Sequence, residues 1–335
     1  MLSHRLPKLT LRGNRIVMET DFQPVTLRGL NRSGLEYHKP DRTAHLHHAG
    51  FTREDFDRVA EWGGNLIRLP FNQSWALDSP GYDSEPYLRS IDNAVAMYAE
   101  RGAYTLLDLH WIDAVRPRGL HSDGRANFVP PLPDQNSIRV WSQLARRYRN
   151  ENAVLFDIFN EPHDALPNDS IPLHTIDVDG SLHPLRSRRV RMKIWQSWAI
   201  HLVNAIRAEH PTALIVVSGI DWGFDLRGFP IPGVRDLIYS SHVYPHKHHD
   251  WHGKFGHLAE HAPVLVAEFG GCDEDVEWGY RLLSYMEESK MSWAAWSWAD
   301  RPLLVQRELS YRPTAFGHLV RAALKRTKEV GIIQG

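Results

Sequence analysis

The fold is decided by the stretch Val154-Leu-Phe-Asp-Ile-Phe-Asn-Glu-Pro162. Most of it is an apolar run with β-branched and aromatic residues, which is typical of a buried strand. Pro162 has no N–H to donate to a neighbouring strand and restricts the residue before it, so the strand should end there. The pattern therefore predicts an amide and a carboxylate, Asn160 and Glu161, at the carboxyl end of a buried strand.

A second stretch has the same organisation. Val264-Leu-Val-Ala-Glu-Phe-Gly-Gly271 passes from an apolar segment into Glu268 and two glycines. Each glutamate would then end its own buried strand. The two stretches together predict a pair of catalytic carboxylates, Glu161 and Glu268.

Strands of this kind alternate with helical stretches along the whole chain. Eight strands are predicted near Leu27, Ile67, Leu107, Phe156, Val216, Tyr239, Val266 and Ala295. The alternation favours a parallel sheet, and eight units in 335 residues fit a closed (β/α)8 TIM barrel of the α/β class. An open doubly wound sheet is disfavoured, because Arg28-Gly-Leu-Asn-Arg-Ser-Gly34 is not the glycine-rich phosphate loop that such a sheet needs.

A turn at Gly13-Asn14 predicts a short hairpin in front of the barrel. We expect residues 1–335 to form a single catalytic domain, with the hairpin at about 7–25 and the barrel at about 26–330. The longest irregular insertions, 111–136 and 163–189, follow strands and should lie at the face where barrel active sites are built.

Composition excludes several functional classes. The chain is 42% hydrophobic and 24% charged, as in soluble globular proteins, and its net charge of −1 gives no electrostatic basis for binding nucleic acid or a membrane. Its single cysteine, Cys272, excludes an internal disulfide. No signal peptide is visible at the start, so we expect a cytoplasmic protein, or a secreted or periplasmic one if a leader was removed.

A barrel would bring the polar residues at the strand ends into one cleft. These residues are Arg68, His110, Asn160, Glu161, His242, Tyr244 and Glu268. Two carboxylates across a cleft suit hydrolysis of a glycosidic bond, one protonating the leaving oxygen and the other attacking the anomeric carbon or activating water. Burial would raise the pKa of the acid, a cation such as Arg68 would keep the other carboxylate ionised, and Asn160 could bond the sugar 2-OH.

Seven motifs occur in strand order. They are Arg28-Gly-Leu-Asn31, Ile67-Arg-Leu-Pro70, Asp108-Leu-His-Trp111, Phe159-Asn-Glu-Pro162, His242-Val-Tyr244, Ala267-Glu-Phe-Gly270 and Trp296-Ser-Trp298. With these motifs, which span nearly the whole chain, the protein resembles glycoside hydrolase family 5, the cellulase-type barrels of clan A. It is most similar to the bacterial endoglucanases of that family.

The resemblance implies a role for each strand-end residue. Glu161 would be the acid/base and Glu268 the nucleophile of a retaining hydrolase. The implied substrate-binding residues are Arg68, His110, Trp111, Asn160, His242, Tyr244, Trp296 and Trp298. Arg68 and Tyr244 would contact the nucleophile. Trp296 would be the sugar platform, with Trp298 as the alternative.

Two other groups of residues allow more than one interpretation. The loop tryptophans Trp75, Trp111, Trp222 and Trp251 could stack on a sugar ring or simply pack as lids. The histidine-rich segments 45–48 and 246–252 invite a metal interpretation, but no apolar strand precedes the first, and the second lacks the helical spacing of metal ligands. We therefore predict no metal and no cofactor.

The sequence thus predicts a monomeric endo-β-1,4-glucanase that acts on β-glucan or a related polysaccharide or oligosaccharide. A β-mannanase or another family 5 β-glycanase or β-glycosidase is the alternative, because specificity lies in the loops. A non-catalytic sugar-binding barrel or a metal-dependent barrel is the third possibility. Endo action in an open groove and exo action in a pocket both remain open at this stage.

Overall fold

The structure, a computed structural model, describes residues 6–36, 50–112, 130–166 and 172–332, with side chains as far as residue 326. The strands are β1 (Leu9–Arg12), β2 (Arg15–Met18), β3 (Arg28–Asn31), β4 (Leu66–Asn72), β5 (Tyr104–Trp111), β6 (Val154–Asp157), β7 (His174–Ile176), β8 (Leu182–Pro184), β9 (Ile215–Ser218), β10 (Leu237–Val243), β11 (Val264–Phe269), β12 (Ser292–Ala295), β13 (Val305–Gln306) and β14 (Arg312–Pro313).

Helices separate most of these strands. They are α1 (Arg53–Glu61), α2 (Gln73–Ala76), α3 (Glu85–Ala99), α4 (Gln135–Tyr148), α5 (Met192–Glu209), α6 (Trp251–Lys254), α7 (Val276–Glu288) and α8 (Ala315–Ile332). Short 3-10 turns cover Gly256–Glu260, Asp273–Asp275 and Arg307–Leu309. None of the described helices combines the length and the apolarity needed to cross a bilayer.

Eight parallel strands close into a barrel in the order β3, β4, β5, β6, β9, β10, β11 and β12, and β12 pairs with β3 to complete it. The predicted (β/α)8 barrel is confirmed. The predicted hairpin is also present as β1 and β2. Leu9 and Ile16 of the hairpin are buried with Leu66, Leu155 and other residues of the barrel interior. The hairpin therefore closes the end of the barrel opposite the strands' carboxyl ends.

Local chemistry explains where several helices begin. The Thr52 hydroxyl accepts a hydrogen bond from the Asp55 N–H and caps α1, as its position in the sequence predicts. The Asp55 carboxylate does not complete a capping box, because it bonds Arg32 and Trp298 instead. At α4 the capping box is complete between Asp134 and Ser137, so this helix starts directly after Asp134.

Two strand ends and one insertion have features that the sequence pattern does not indicate. β4 continues past Pro70 to Asn72. It pairs with β3 only as far as Arg68, so the residues beyond have a partner on one side only and the missing N–H of Pro70 is tolerated. β6 ends at Asp157, before the end of the apolar run. The insertion 163–189 contains a hairpin, β7 with β8, that its sequence does not indicate.

Candidate active site

Glu161 lies in an irregular segment just beyond β6. The Asn160 N–H donates to the carbonyl of Leu109 at the end of β5, which ties this segment to the barrel. Glu161 itself has φ +49°, in the left-handed region that residues other than glycine rarely adopt. Such strained residues concentrate at functional sites because only the surrounding structure maintains them. The backbone thus holds Glu161 at the mouth of the barrel.

Glu268 reaches the same cleft because β11 contains a bulge. Val264 and Val266 pack with the outer helices, whereas Leu265 and Ala267 face the barrel interior. Strict alternation would therefore turn Glu268 outward. The pairing of β11 with both neighbouring strands shifts by one residue after Val266. The extra residue turns Glu268 into the cleft, as bulges beside active sites commonly do.

Two donors fix the Glu268 carboxylate. Nη1 of Arg68 donates to Oε1 at 2.5 Å, and the Tyr244 hydroxyl donates to Oε2 at 2.7 Å. Glu268 is only 3% exposed, so these charge-assisted bonds replace its contacts with water. The carboxylate is therefore held in one orientation at the base of the cleft.

Arg68 is the centre of a buried polar network. The side chain of Arg68 is completely buried in β4. Its Nε donates to Oδ2 of Asp157 at 2.8 Å, and its Nη2 lies 3.0 Å from Oδ1 of Asp108 and donates to Oδ1 of Asn160 at 2.9 Å. One guanidinium in β4 thus links Asp108 of β5, Asp157 of β6 and Glu268 of β11 to Asn160.

His242 lies between the two glutamates. Its Nδ1 is 2.9 Å from Oε1 of Glu161 and 3.6 Å from Oε2 of Glu268. This nitrogen, one oxygen of Glu161 and one oxygen of Glu268 all lie within 4.8 Å of one another. Gly223, at φ +72°, packs so closely that a Cβ there would come within 2.8 Å of the imidazole. The ring therefore has little freedom to move away from the two carboxyl groups.

Burial shifts the pKa values of Glu161 and of the two histidines in the site in opposite directions. Burial raises the pKa of Glu161 to about 7, although nearby positive groups, including Lys247 and Arg68, oppose the shift. Burial lowers the pKa of His110 to about 4 and that of His242 to about 3. At pH values above about 4 and below about 7, Glu161 is therefore largely protonated while both imidazoles are uncharged. Glu161 therefore has the charge state of a general acid.

A cavity of about 390 Å³ opens above these groups. It is lined by His110, Glu161, Trp222, Tyr244, His246, Lys247, Glu268, Trp296, Arg301 and Pro302. Trp296 is stacked on His110 with ring centroids 5.6 Å apart, and its indole N–H donates to the carbonyl of Arg301. A fixed flat indole beside two carboxyl groups provides an apolar surface for the C–H face of a sugar ring.

The structure contradicts the assignment of Trp298. This residue is completely buried, and its indole N–H donates to Asp55 of α1 at 3.0 Å. Its ring packs edge-on against the ring of Trp62, with the centroids 5.0 Å apart. The strand β12 ends at Ala295, so the two-residue alternation does not extend to the residues that follow. Trp298 therefore packs against the outer layer and not against the cavity, and the alternative platform is wrong.

The other tryptophans divide between lining and packing. Trp222 lines the cavity and stacks on His163 with ring centroids 3.5 Å apart. Trp75 and Trp251 pack against neighbouring tyrosines. Trp111 ends β5 half-buried and is not part of the cavity lining, so its role in binding stays a prediction.

The two histidine-rich segments have different outcomes. The segment 45–48 lies outside the described residues. In the segment 246–252, His246 lines the cavity and stacks on Tyr244 with ring centroids 5.9 Å apart.

Several residues of the site were not assigned from the sequence. Asp108 and Asp157 are buried partners of Arg68, and Lys247 and Arg301 place two cations at the cavity. A charged residue inside an apolar strand, as at Asp108 and Asp157, is a sequence feature that could have identified the first two. Nothing in the local sequence distinguishes Lys247 and Arg301 from ordinary loop residues.

Replacing Arg68 with methionine should lower the free energy of unfolding by about 3–5 kcal/mol at neutral pH, because it leaves buried carboxylates without their counter-charge. Denaturant unfolding followed by fluorescence measures this. The control is Arg89→Met, since Arg89 is half exposed and, among the described residues, makes only a distant ion pair with Glu85 at 3.9 Å. That change should cost about 0–1 kcal/mol. A loss of the same small size for Arg68→Met would contradict its central position in the network.

Comparison with known proteins shows the family of this chain. Residues 21–302 match the family model described as Cellulase (glycosyl hydrolase family 5). The chain is 28% identical to an endoglucanase of Paenibacillus polymyxa over 85% of this chain and 78% of that protein. It is 22% identical to endoglucanase E-5 of Thermobifida fusca over 83% of this chain. That match spans only 53% of the Thermobifida protein, and several other curated relatives are likewise matched over about half their length.

Solved structures show the same fold. The β-glucanase SdGluc5_26A from Saccharophagus degradans superposes with a TM-score of 0.73 at 22% identity, over 96% of this chain and 94% of that one. The match to the family model extends over most of the barrel, including both glutamates and their neighbours in the cleft. The chain therefore belongs to glycoside hydrolase family 5, the cellulase family, and is a glycoside hydrolase.

Proposed function

We propose that this protein hydrolyses β-1,4-linked glucan with retention, cutting within the polymer, with Glu161 as acid/base and Glu268 as nucleophile. The observation that carries the proposal is the separation of the two carboxyl groups, whose nearest oxygens lie within 4.8 Å. Retaining glycosidases hold their carboxyl groups about 5–5.5 Å apart, whereas inverting enzymes need about 6.5–9.5 Å to admit a water molecule.

In the first step, the Glu268 carboxylate attacks the anomeric carbon and the bond to the leaving oxygen breaks. Glu161 donates its proton to that oxygen, which leaves as an alcohol, and the sugar remains as an ester on Glu268. The Arg68 and Tyr244 bonds to Glu268 orient its oxygens for the attack. Asn160 is placed beside both groups and is suited to bond the sugar 2-OH, a contact that strengthens in the transition state.

In the second step, Glu161 is a carboxylate and takes a proton from water as the water attacks the anomeric carbon. The ester bond to Glu268 breaks, and Glu161 regains its proton. Two inversions at the same carbon give net retention. His242, held 2.9 Å from Glu161, fixes the orientation of this carboxyl group in both of its protonation states.

The choice of glucan rests on similarity. The Paenibacillus and Thermobifida relatives are named endoglucanases, and the Saccharophagus and Thermobifida enzymes have been solved with cellotetraose. Trp296 and Trp222 supply flat surfaces at the cavity, which suit a chain of equatorially linked pyranose rings. We also propose that residues 1–335 act as one domain and as a monomer, outside the cytoplasm where such polymers occur.

The test is a substrate panel with stereochemical analysis. The purified protein is assayed for reducing sugar on carboxymethyl cellulose, barley β-glucan, β-mannan and xylan, and proton NMR follows the first anomer released from cellopentaose. We expect release from the two glucans, an early loss of viscosity, a β-anomer as first product, and no change after a chelator is added. Release from mannan alone would replace the substrate and keep the mechanism. An α-anomer would contradict the retaining mechanism.

A further inference from the structure

Two buried aspartates lie side by side beneath the proposed nucleophile, against Arg68. Asp108 of β5 and Asp157 of β6 are direct partners in the parallel pairing of these strands, and both side chains are completely buried. Neighbouring strands lie about 4.8 Å apart, so carboxyl groups at paired positions on the same face are within reach of each other. Both reach the same edge of the Arg68 guanidinium, one at Nε and the other at Nη2.

The charges around Arg68 do not balance. Its Nη1 donates to Glu268 and to Oδ1 of Asn31, the latter at 3.0 Å. Its remaining N–H groups face Asp157, Asp108 and Asn160. One buried cation thus serves three buried carboxyl groups. Ionising all three would leave excess negative charge in the barrel interior, where burying an unpaired charge is very costly.

The hydrogen bonds of the network assign the tautomer of His110. Arg68 can only donate, so Oδ1 of Asn160 is the acceptor and its Nδ2 is a donor. That nitrogen lies 3.5 Å from Nε2 of His110, which must therefore be the unprotonated ring nitrogen. Nδ1 of His110 then carries the proton and donates to Oδ2 of Asp108 at 2.6 Å.

In the described part of the chain, each aspartate has one carboxyl oxygen without a hydrogen bond. Oδ2 of Asp108 accepts from His110, and Oδ2 of Asp157 accepts from Arg68. Within the described part of the chain, Oδ1 of neither aspartate has a hydrogen-bond partner, although Oδ1 of Asp108 lies close to Nη2 of Arg68. A single proton between the pair would make one leftover oxygen a donor and the other an acceptor. It would also remove the excess charge.

We propose that Asp108 and Asp157 share one proton and, as a pair, position Arg68 against Glu268. The pair holds the Nε and Nη2 edge of the guanidinium, which leaves Nη1 facing the nucleophile. The shared proton rests on the geometry alone, whereas the consequence for catalysis rests on the proposed function. Burial raises the pKa of both aspartates above the usual value, and the charge of Asp108 raises that of Asp157 further.

Among the residues that the structure describes, the other charged groups around the pair do not supply a second counter-charge. Those that face it are Arg68 from β4, His110 from β5, Glu161 after β6, Glu268 from β11 and Glu36 after β3. His110 is neutral at neutral pH, as described above, and the remaining groups apart from Arg68 are acids. The pair therefore has Arg68 as its positive partner, and loss of the proton would draw Arg68 away from Glu268 toward two full charges.

Carboxyl titration tests the shared proton directly. The full-length protein is labelled with ¹³C at the aspartate carboxyl carbons and followed by NMR between about pH 5 and 9, and Asp108→Asn and Asp157→Asn assign the two signals. In the wild type we expect one proton to leave the pair near neutral pH. In each variant the remaining carboxyl should titrate at least about one pH unit lower, because its charged neighbour is gone.

Two results would overturn the proposal. One is an unchanged midpoint for the remaining carboxyl in each variant, which would mean two independently buried acids. The other is the absence of any titration of the pair in the wild type. Neither readout depends on activity, so failure of the shared proton and failure of the proposed function are distinguishable.

The pH dependence of stability gives a second readout if a spectrum proves too crowded. The folded pair binds its proton more tightly than free aspartates, which ionise near about pH 3.9, so its stabilising effect is lost as pH rises through neutrality. The raised pKa of Glu161 also makes stability fall as pH rises, so its contribution is removed by introducing Glu161→Gln into both the reference protein and the Asp157→Asn variant. We expect the urea midpoint to fall between about pH 5.5 and 8.5, and to fall less when Asp157→Asn is added. Equal falls would contradict the proposal.

Discussion

Replacing Glu268 with alanine should lower kcat on cello-oligosaccharides by on the order of 10⁵-fold, because no other described group can form the glycosyl ester. The variant retains Glu161 as a proton donor, but the anomeric carbon has no nucleophile. The cavity left by the carboxylate is bordered by the donors Arg68 and Tyr244, which suit a small anion. Steady-state kinetics on cellopentaose, with thermal melting to verify folding, measures the loss.

Azide distinguishes a lost nucleophile from a damaged fold. In Glu268→Ala, azide can enter beside Arg68 and attack the anomeric carbon of an aryl β-cellobioside, giving an α-cellobiosyl azide by a single inversion. The control is Glu277→Ala, since the Glu277 side chain on α7 is 81% exposed and does not line the cavity. It should retain the wild-type rate with or without azide. Activity of Glu268→Ala within tenfold of the wild type would assign the nucleophile elsewhere.

Replacing Glu161 with glutamine should have an effect that depends on the leaving group. On cello-oligosaccharides, whose alkoxide leaves poorly, loss of the general acid should lower kcat/KM by about 10²–10⁴-fold. A dinitrophenolate needs no protonation, so kcat/KM for dinitrophenyl β-cellobioside should fall by less than about tenfold. The second step still needs the base, so kcat should fall for both substrates. A uniform loss of kcat/KM would contradict the role of Glu161.

The pH dependence of kcat/KM should also follow from the role of Glu161 as proton donor. Burial raises the pKa of Glu161 to about 7, and the first step requires its protonated form. In the wild type, kcat/KM on cello-oligosaccharides should therefore be flat just below pH 7 and fall about tenfold per pH unit above it. In Glu161→Gln with the dinitrophenyl substrate, this fall should be much smaller, because no proton donation is needed and only the aspartate pair still changes charge near neutral pH. An unchanged profile would mean that a group other than Glu161 sets the fall.

Much of the fold and of the site follows from local sequence. Apolar runs that end in polar residues predict the strands, and the helices between them predict parallel pairing and closure. The same patterns bring Arg68, His242 and Tyr244 to one face of the barrel, where the structure finds them around Glu268. These features are local because strand pattern, helix capping and turn chemistry each depend on residues a few positions apart.

Only the tertiary structure decides which way a side chain faces where the two-residue alternation of a strand is broken. Glu268 faces the cleft only because β11 bulges after Val266, and Trp298 is buried because the chain leaves the strand register after Ala295. A two-residue period gives the side of a residue only while the strand is regular. Irregular pairing is imposed by neighbouring strands, which the local sequence does not contain.

The Arg68 network has the same origin. Arg68 contacts Asp157 and Glu268, which are 89 and 200 positions away along the chain. The sequence by itself determined which strands form the barrel and which polar residues lie at or just beyond their ends. Barrel closure and register decided that three acids meet one arginine, that burial raises the pKa of Glu161, and that the carboxyl groups of Glu161 and Glu268 lie within 4.8 Å of each other. Distances and desolvation arise only when distant segments pack together, so no short pattern encodes them.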